Sequence, residues 1–405
     1  MRLVHLGSPV GLPTEQAHAF QITKMCEAFA DAGHQTRLLC AAPPEVLPAE
    51  MVESIFDRYA VRPVFEIKTL RCLGPRFLEK RFSRAWRFVR SVSYALHAYF
   101  HIMRHCNDDE TILYSRERFT TYLLLLSGRW VRSKHIFESH NFLGEKHPDL
   151  IAALFKKLDR LVAMTPRIRE LYVDAGVPGD KVLVAANGVD PAHFLITESQ
   201  AECRERLGLP ADRPVIGYIG NFRNTMGMEK GIPELLRAHA LLLQRFPRNP
   251  PFLVCVGGPA GSVPAYRQIA VDLDMSPEHY RFAGFAARSE VPRWMRSCDV
   301  LTIPWPKNEW AAHQTSPIKL YEYMAAAVPI AATDLPSIRQ VLVPELNAVL
   351  AAAGNIEAFA DAVAGLLSDP EKGQRLATSA RQAVAEFTWA NRAKRVLEGI
   401  AQVDE

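Results

Sequence analysis

Residues 313–334 read His-Gln-Thr-Ser-Pro-Ile-Lys-Leu-Tyr-Glu-Tyr-Met-Ala-Ala-Ala-Val-Pro-Ile-Ala-Ala-Thr-Asp, and this stretch decides the fold. Ser316 suits the N-cap of a helix, Pro317 suits the first helical position, and 318–327 contains no helix breaker. The apolar run 328–334 then predicts a short buried strand. A helix followed by a buried strand is a building unit of a parallel α/β sheet. The N-terminus of the helix is expected at the carboxyl edge of that sheet, where open α/β folds bind ligands.

The start of this predicted helix favours a bound anion. The first amides of a helix have no intrahelical acceptor, and a helix N-terminus carries a partial positive charge. Lys319 adds a cation in the first turn, and Glu322 follows at i+3 with a carboxylate that can accept two hydroxyl hydrogen bonds. The pair therefore predicts a site for a phosphate–ribose unit. The alternative is an ordinary capped helix with an exposed Lys–Glu pair.

The composition indicates a globular protein of two domains. The chain has 405 residues, 48% of them apolar, and a formal net charge of only +4. This length exceeds one comfortable core, and the small charge does not indicate a nucleic-acid partner. The seven cysteines lack metal-ligand spacing and are expected to be reduced, mostly buried thiols of a cytoplasmic protein. No stretch is apolar for long enough to cross a bilayer, so any membrane contact is expected at the surface.

The first half of the chain predicts a doubly wound sheet of about seven strands. Strand 2–6, a helix from about Glu15 to Ala32 and strand 36–40 form a βαβ opening. Its first loop lacks the GxGxxG pattern, so nicotinamide and flavin cofactors are disfavoured. Further strands are predicted at 111–114, 135–138, 161–164 and 181–185.

The same alternation recurs after a turn at Asn187-Gly188. Strands are predicted at 214–220, 252–256, 280–285 and 299–304, and helices at 233–245, from Glu290, within 356–382 and at 387–403. The second half therefore predicts another α/β domain of the same kind.

Residues 73–106 predict an amphipathic basic helix. Apolar side chains such as Trp86 and Phe100 recur every three or four residues, and basic side chains such as Arg84 and Arg87 cluster in the same segment. One interpretation is docking on an anionic membrane surface, with the basic side chains among the lipid headgroups. The alternative is a helix packed on the sheet with a solvated basic face.

A cationic loop is predicted at the same sheet edge as the helix of 318–327. Residues 220–231, Gly-Asn-Phe-Arg-Asn-Thr-Met-Gly-Met-Glu-Lys-Gly, follow the first strand of the second half. The glycines allow close approach of backbone to a ligand, and Arg223 and Lys230 can hold a diphosphate. The alternative is a solvated polar loop before a helix, which explains less well why two cationic segments share one edge.

Ordered motifs run through both halves of the chain. In the second half they are Gly220-Asn-Phe-Arg with Glu229-Lys-Gly, Val256-Gly-Gly, Phe282-Ala-Gly-Phe, Cys298-Asp-Val-Leu-Thr-Ile-Pro and Ser316-Pro-Ile-Lys-Leu-Tyr-Glu-Tyr-Met-Ala. In the first half they are Ala28-Phe-Ala with Gly33-His34, Tyr114-Ser-Arg, Glu138-Ser-His-Asn and Asn187-Gly-Val-Asp. In this order they resemble the GT-B fold retaining glycosyltransferases of family 4, the glycosyl transferases group 1. The resemblance covers essentially the whole chain.

This resemblance implies an α/β, GT-B architecture of two doubly wound, Rossmann-like domains that face each other across a cleft. Residues 1–190 would form the acceptor domain and residues 191–385 the nucleotide-sugar donor domain. Residues 386–405 would form a C-terminal helix that packs back toward the first domain.

The resemblance also implies roles for residues of the donor domain. Arg223 and Lys230 would hold the diphosphate and neutralise charge on the departing nucleoside diphosphate, which makes both catalytic candidates. Glu322 would accept hydrogen bonds from the ribose hydroxyls, and Phe285 with its loop would lie near the base. The expected donor-binding residues are Gln314, Ser316, Ile318, Lys319, Glu322 and Phe285.

In the first domain, His140 matches a histidine that lies near the reacting sugar in these enzymes. It is the third catalytic candidate, and the alternative is a satisfied histidine at a strand end. Gln16, His18 and Arg116 are expected on the acceptor side.

The chain departs from the family pattern at two places. Gln314 stands where the family's Glu-x7-Glu motif has its first glutamate, and an amide cannot supply negative charge to an oxocarbenium-like centre. Gln16-Ala17 stands where the first N-terminal loop of the family often has paired glycines.

The expected function is retaining transfer of a hexose-type sugar from a nucleotide-diphosphate-sugar donor to a hydroxyl acceptor in bacterial polysaccharide or glycolipid synthesis. Front-face attack needs no protein nucleophile, and neither a cofactor nor a metal is expected because the cations can neutralise the diphosphate. Expected partners are the donor, a glycan or glycolipid acceptor and an anionic surface on the inner face of the membrane, without nucleic acid. The alternatives are a GT-B nucleotide-sugar epimerase, a sugar-phosphate synthase, and a nucleotide-sugar binding protein whose chemistry has lapsed.

Overall fold

The computed structural model describes residues 1–7, 12, 14, 17–41, 55–73, 83–224 and 227–400. They form two compact units: Met1–Asn187 together with the segment that begins at Trp389, and Gly188–Thr388. Each unit is built on one parallel sheet.

The first unit contains a seven-stranded sheet with the order β3-β2-β1-β4-β5-β6-β7, in which every neighbouring pair is parallel. Its strands are β1 (Arg2–Leu6), β2 (Gln35–Ala41), β3 (Glu66–Leu70), β4 (Thr111–Ser115), β5 (Lys134–Ser139), β6 (Arg160–Ala163) and β7 (Val182–Val184). The order reverses between β1 and β4, which makes their carboxyl ends a topological switch point. The prediction of a doubly wound sheet of seven strands is confirmed.

Helices connect these strands: α1 (Ala17–Asp31), α2 (Ser83–His105), α3 (Arg118–Ser127), α4 (Pro148–Phe155) and α5 (Pro166–Asp174). The predicted start of α1 at Glu15 lies outside the described residues, as does the part of the predicted basic helix before residue 83. The N-terminus of α3 is capped by the Glu117 carboxylate, which accepts hydrogen bonds from the amides of Phe119 and Thr120 at 3.0 and 2.6 Å.

The second unit contains a six-stranded parallel sheet with the order β10-β9-β8-β11-β12-β13. Its strands are β8 (Val215–Ile219), β9 (Phe252–Val256), β10 (Tyr280–Gly284), β11 (Val300–Ile303), β12 (Ile330–Asp334) and β13 (Val349–Ala352). The switch point lies between β8 and β11. The predicted second Rossmann-like domain is therefore also confirmed.

The remaining helices are α6 (Gln200–Leu207), α7 (Ile232–Arg245), α8 (Val263–Asp272), α9 (Val291–Arg296), α10 (Glu309–His313), α11 (Ile318–Ala326), α12 (Pro336–Arg339), α13 (Ile356–Ser368), α14 (Pro370–Ala383) and α15 (Trp389–Leu397). All but the last belong to the second unit. In α15 and just after it, the carbonyls of Val396 and Ile400 accept hydrogen bonds from Arg160 and Lys134, both at 2.8 Å. These bonds attach the end of the chain to the first unit.

The central strands of both sheets are buried along their whole length, as the patterns of β4, β8 and β9 show. Parallel strands covered on both faces need continuous apolar runs, which is why these segments lack polar alternation. All seven cysteines are free, and all but the partly buried Cys72 are buried, which confirms the prediction of unpaired, mostly buried thiols. Within the described ranges, no helix is both long and apolar enough to cross a bilayer.

The buried ring of His135 on β5 makes stability depend on pH. Its side chain is 3% exposed, and neither ring nitrogen has a hydrogen-bond partner among the described residues. Burial lowers the pKa of His135 to about 4. The unfolded chain takes up a proton on His135 near the ordinary pKa of 6.5, whereas the folded chain does so only near pH 4. The free energy of unfolding is therefore highest above pH 6.5 and decreases as the pH falls toward 4.

We expect the unfolding free energy of the first unit to fall between about pH 6.5 and 4, with His135 contributing up to about 1.4 kcal/mol per pH unit. His135→Phe should make this decline shallower in urea titrations that follow the first unit. His147→Phe, which replaces an exposed ring in the same unit, is the control. Identical pH dependence in the two variants would contradict the expectation.

Candidate functional site

One side chain attaches helix α11 to the end of β8. The Tyr323 hydroxyl accepts a hydrogen bond from the amide of Ile219 at 2.8 Å and donates one to the carbonyl of the same residue at 3.1 Å. The pairing of β11 with β8 involves Ile216 and Gly217, so the backbone groups of Ile219 lie beyond it and need another partner. Because Lys319 is four residues before Tyr323, the two share a helix face, and this attachment sets where Lys319 lies.

Lys319 is buried at the switch point between β8 and β11. Its side chain is 7% exposed, and its Nζ lies 3.5 Å from the centroid of the Tyr218 ring. A Cβ at Gly220 would lie 2.9 Å from that Nζ, so the lysine fits because position 220 is glycine. No hydrogen-bond acceptor for the Nζ is found in the described part of the chain. A buried ammonium group without such a partner is costly, and a bound anion would offset that cost.

The loop before α7 brings a second ammonium group to this edge. The amide of Lys230 donates to the carbonyl of Phe222 at 2.9 Å, which folds the loop back on itself. Gly231 follows with a φ of +91°, and a Cβ there would lie 1.7 Å from the carbonyl oxygen of Pro304. Burial lowers the pKa of Lys230 to about 8. Burial, followed by the charge of Lys230, lowers the pKa of Lys319 well below its ordinary value.

Arg223, the other predicted diphosphate ligand, is engaged within its own loop. Its guanidinium forms an ion pair with Glu229, and its Nε lies 3.5 Å from the hydroxyl of Tyr266. That hydroxyl donates to Glu229 at 2.7 Å. A diphosphate at Arg223 would therefore share the guanidinium with Glu229.

Glu322 is buried and paired, unlike the exposed residue of the alternative interpretation. Lys319 and Glu322 are only 7% and 6% exposed, so the interpretation of these residues as an exposed Lys–Glu pair is wrong. Arg288 donates from Nη2 to the Glu322 carboxylate at 2.5 Å. Arg288 lies in a short turn before α9, and its carbonyl oxygen is 3.0 Å from the Nε2 of His193. The carboxylate is thus held in place by a cation before any ligand binds.

The predicted cap of α11 is wrong in detail. The helix begins at Ile318, Pro317 occupies the N-cap position, and no side chain caps the helix. The Ser316 hydroxyl instead lies 3.1 Å from the hydroxyl of Tyr321. Because no hydroxyl caps this end, the amides of Ile318 and Lys319 have neither an intrahelical acceptor nor a side-chain cap. An uncapped helix N-terminus offers donors to an anion.

The other two expected donor-side residues lie in loops. Gln314 follows α10. Its backbone amide donates to the carbonyl of Trp310 at 3.0 Å, and the residue is partly exposed. Phe285 follows β10, is 46% exposed and packs on Gly258, where a Cβ would lie 2.3 Å from the ring. The exposed part of the Phe285 ring therefore lies beside the backbone at Gly258 and is accessible to a ligand.

In the first unit, the carboxylate of Glu138 collects hydrogen-bond donors from several elements. Gln21 of α1 donates to Oε1 at 2.6 Å, and the Tyr114 hydroxyl of β4 donates to Oε2. Arg392 of α15 donates to Oε2 at 2.8 Å, and the Nε of Arg116 lies 3.8 Å from Oε1. Burial opposes ionisation, yet the charge of Arg392 and the bond to His140 hold the pKa of Glu138 well below its ordinary value.

His140 completes this cluster at the carboxyl end of β5. Its Nε2 lies 2.5 Å from the Glu138 carboxylate. Burial, followed by the charge of Arg116, lowers the pKa of His140 to about 4 and that of His18 to about 3. The structure therefore brings the neutral rings of His140 and His18 together with the cation of Arg116. The fourth predicted residue, Gln16, lies outside the described residues.

Two family models match the chain. Residues 213–369 match the model described as "Glycosyl transferases group 1", and residues 19–193 match "Glycosyltransferase Family 4". The first match contains the cationic edge, and the second contains Glu138, His140 and Arg116 but neither His18 nor Arg392. The chain belongs to the GT-B glycosyltransferases.

Among curated relatives of this glycosyltransferase are two enzymes named D-inositol 3-phosphate glycosyltransferase. The one from Thermobispora bispora is 28% identical over 246 residues, which is 59% of this chain and 55% of that protein. The one from Corynebacterium urealyticum is 28% identical over 287 residues, or 67% and 65% of the two chains. The glycosyltransferase thus spans less than two thirds of the length of these relatives.

Among solved structures, Anabaena HepE in complex with UDP and glucose has the same fold. The TM-score is 0.73 over 100% of both chains, at 14% sequence identity. The two-sheet architecture expected from the motifs is therefore shared with this solved structure.

Sequence reasoning missed four residues of the candidate site. Arg288 and Arg392 lie in no motif that the sequence singled out, and Tyr323 and Glu138 lie inside motifs without an assigned role. A charge at the end of an apolar strand, as in Ile136-Phe137-Glu138, is the one local signal that could have marked a buried ion pair. Within the described residues, no group of three or more His, Cys, Asp and Glu side chains could hold a metal ion.

Lys319→Met should stabilise the glycosyltransferase without ligand, by about 1–3 kcal/mol, because it removes a buried ammonium group that lacks a hydrogen-bond partner. The lowered pKa of Lys319 has the matching sign, because burial disfavours the charged form relative to the unfolded chain and so reduces stability below the ordinary pKa. Urea or thermal unfolding of the second unit measures the change.

Lys307→Met provides the control because Lys307 is exposed in the same unit, where substitutions usually change stability by less than about 0.5 kcal/mol. A loss of stability in Lys319→Met that exceeds the change in Lys307→Met would show that the ammonium group already has a stabilising partner.

Proposed function

We propose that this chain is a retaining glycosyltransferase that moves a hexose-type sugar from a nucleotide-diphosphate-sugar donor to a hydroxyl acceptor. The observation that carries the proposal is Lys319, a buried cation with no hydrogen-bond partner in the described residues, beside Lys230 and the uncapped start of α11. Two cations and free amides at a sheet switch point suit a diphosphate. The second unit is accordingly the donor domain of this proposal.

The roles on the donor side follow from charge. Lys319 and Lys230 would stabilise the negative charge that develops on the leaving nucleoside diphosphate, with Arg223 as a third cation shared with Glu229. Glu322, oriented by Arg288, would accept hydrogen bonds from the ribose hydroxyls. Phe285 would lie near the base, and Gln314 would hydrogen-bond a sugar hydroxyl. Neither a metal nor a cofactor is needed in this scheme, because the cations neutralise the diphosphate.

A uridine nucleotide is the first choice of donor. HepE was solved with UDP and glucose, and the likeness between the folds supports a nucleotide sugar as the donor. The relatives named D-inositol 3-phosphate glycosyltransferase support transfer to a hydroxyl of a polar acceptor. A glycan or glycolipid of a bacterial surface pathway is the proposed acceptor class.

The proposed mechanism uses no protein nucleophile. Departure of the diphosphate and attack by the acceptor hydroxyl take place on the same face of the sugar, which retains its anomeric configuration. The protein contributes positioning and leaving-group stabilisation, and the neutral ring of His140 in the first unit, the proposed acceptor domain, would contact the sugar or the acceptor hydroxyl.

Binding of a nucleotide sugar should raise the melting temperature, because a ligand that binds only the folded state stabilises it by about 2.7 kcal/mol at a hundred times its Kd. UDP-, GDP- and ADP-sugars are compared for the wild type, Lys230→Ala, Glu322→Ala and Lys307→Met. We expect a shift with one nucleotide family that Lys307→Met keeps and the other two variants lose.

Transfer is then measured with the nucleotide sugar that binds, by release of free nucleoside diphosphate and by chromatography of the nucleotide sugar, with and without hydroxyl acceptors. A shift with no turnover under either condition would indicate a binding protein whose chemistry has lapsed, and turnover to an isomeric nucleotide sugar without acceptor would indicate an epimerase. The absence of a shift with every nucleotide sugar would contradict the donor site itself.

We also propose that the first unit docks on the cytoplasmic face of an anionic membrane through α2 and α3. Large apolar side chains are exposed on these helices and in the turn after α3: Phe88 59%, Phe100 66%, Leu126 67% and Trp130 68%. Exposed arginines lie among them, and the guanidinium of Arg129 is 5.8 Å from the centroid of the Trp130 ring. Aromatic rings with arginines suit the boundary between acyl chains and anionic headgroups.

Flotation with phosphatidylglycerol-containing vesicles tests this surface. Arg87→Glu with Arg104→Glu should reduce binding at least severalfold at low salt, since each basic residue near such a surface contributes about 1 kcal/mol. Arg237→Glu with Arg296→Glu makes the same charge change at exposed positions of the second unit and is the control. Equal binding of the two double variants would contradict docking through α2 and α3.

A further inference from the structure

The cluster around Glu138 joins residues that the proposed function leaves without a role. Arg392 lies on α15, the helix that ends the described chain, and is 4% exposed. Its Nε donates to the carbonyl of Ala186 at 2.8 Å, and its Nη2 donates to the Glu138 carboxylate at 2.8 Å. A guanidinium so fully buried is a fixed charge that cannot leave its carboxylate without a large penalty.

The carboxylate of Glu138 in turn determines which nitrogen of His140 carries the proton. An ionised carboxylate only accepts hydrogen bonds, so the His140 Nε2, at 2.5 Å from it, must be the protonated nitrogen. The remaining ring nitrogen, Nδ1, has no hydrogen bond to a described residue and is not among the buried atoms that lack a partner. The His140 side chain is 29% exposed, so Nδ1 can accept a hydrogen bond from a ligand.

Burial and then Arg116 do most to keep that ring neutral, and the charge of Arg392 acts in the same direction. A carboxylate beside a histidine normally favours the imidazolium form, because opposite charges attract. Here the guanidinium groups of Arg392 and Arg116 balance Glu138, and both act against a positive charge on His140. Among the described residues, the neutral His18 and the amide of Gln21, which donates to the same carboxylate, also lie near the ring. Removing Arg392 would therefore leave the Glu138 charge less balanced and would favour the imidazolium form more than in the wild type.

We propose that Arg392 and Glu138 are positioning residues that keep His140 neutral with its proton on Nε2, so that Nδ1 accepts a hydrogen bond from a hydroxyl of the bound sugar or acceptor. The helix that follows the donor domain thereby completes the acceptor side of the site. The role of Nδ1 toward a hydroxyl rests on the proposed function, whereas the protonation state of His140 does not.

Nitrogen-detected NMR of ¹⁵N-histidine-labelled protein tests the proposal between pH 5 and 8. Loss of signals in His140→Gln assigns the ring. In the wild type we expect one protonated nitrogen, Nε2, and one unprotonated nitrogen, Nδ1, across this range. A proton on Nδ1, or an imidazolium at pH 7, would overturn the proposal before any further variant is examined.

Arg392→Met should raise the pKa of His140, because it removes a cation that balances Glu138 and acts against a positive charge on the ring. Arg392→Lys should restore most of the wild-type behaviour. Arg395→Met removes a cation from the same helix whose guanidinium donates to the carbonyl of Val184 at 3.1 Å, and it should leave His140 unchanged. An unchanged His140 titration in Arg392→Met would overturn the role of Arg392.

Glu138→Gln is the second variant, in case Arg392→Met does not fold. It should abolish the preference for the proton on Nε2, while Glu27→Gln, at another buried glutamate of the same unit, should not. A retained preference in Glu138→Gln would overturn the role of Glu138. Since these spectra need neither donor nor acceptor, failure of the nucleotide-sugar experiments would leave this test intact, and the reverse also holds.

Discussion

The burial of one carboxylate, Glu138, is the constraint on which the first unit depends. An ionised group that is 1% exposed persists only if donors and opposite charges replace its water. Gln21, Tyr114 and Arg392 supply them from α1, β4 and α15, so the carboxylate joins the sheet to a neighbouring helix and to the end of the chain. Removing one partner would cost more than its own bond, because the remaining buried charge would be left uncompensated.

The second unit places a charge at the equivalent sheet edge and leaves it without such compensation. Lys319 has the Tyr218 ring and no hydrogen-bond acceptor in the described chain, whereas Glu322 one turn later has Arg288. The two units therefore use one topology in two ways. In the first, buried charges are satisfied within the protein beside a neutral ring, and in the second, a cation lacks such a partner among the described residues, and we propose that an anionic ligand supplies it. Stability is the usual cost of such preorganised sites.

The sequence predicted most elements but fewer contacts. Strand 252–256 was predicted with the observed bounds, and the helix of 318–326 was predicted because apolar periodicity and the absence of helix breakers are local signals. Strand β3 was missed because it lies at the sheet edge, where Glu66 is exposed and the run is not apolar. The cap at Ser316 was predicted from residue preference, but the hydroxyl lies near Tyr321 instead. Tertiary contacts override such preferences because their contribution to the folding free energy is as large as that of one N-cap.

The amino-acid sequence by itself determined the two parallel sheets, the glycine-rich loop before α7 and the positions of the charged residues along the chain, since all of these follow from periodicity and local turn chemistry. Only the tertiary structure decided that Lys319 is buried without a hydrogen-bond partner, that Glu322 pairs with Arg288, and that Glu138 pairs with Arg392. The physical reason is distance along the chain: Arg392 lies 254 residues beyond Glu138. No local sequence pattern predicts which two buried charged residues form an ion pair.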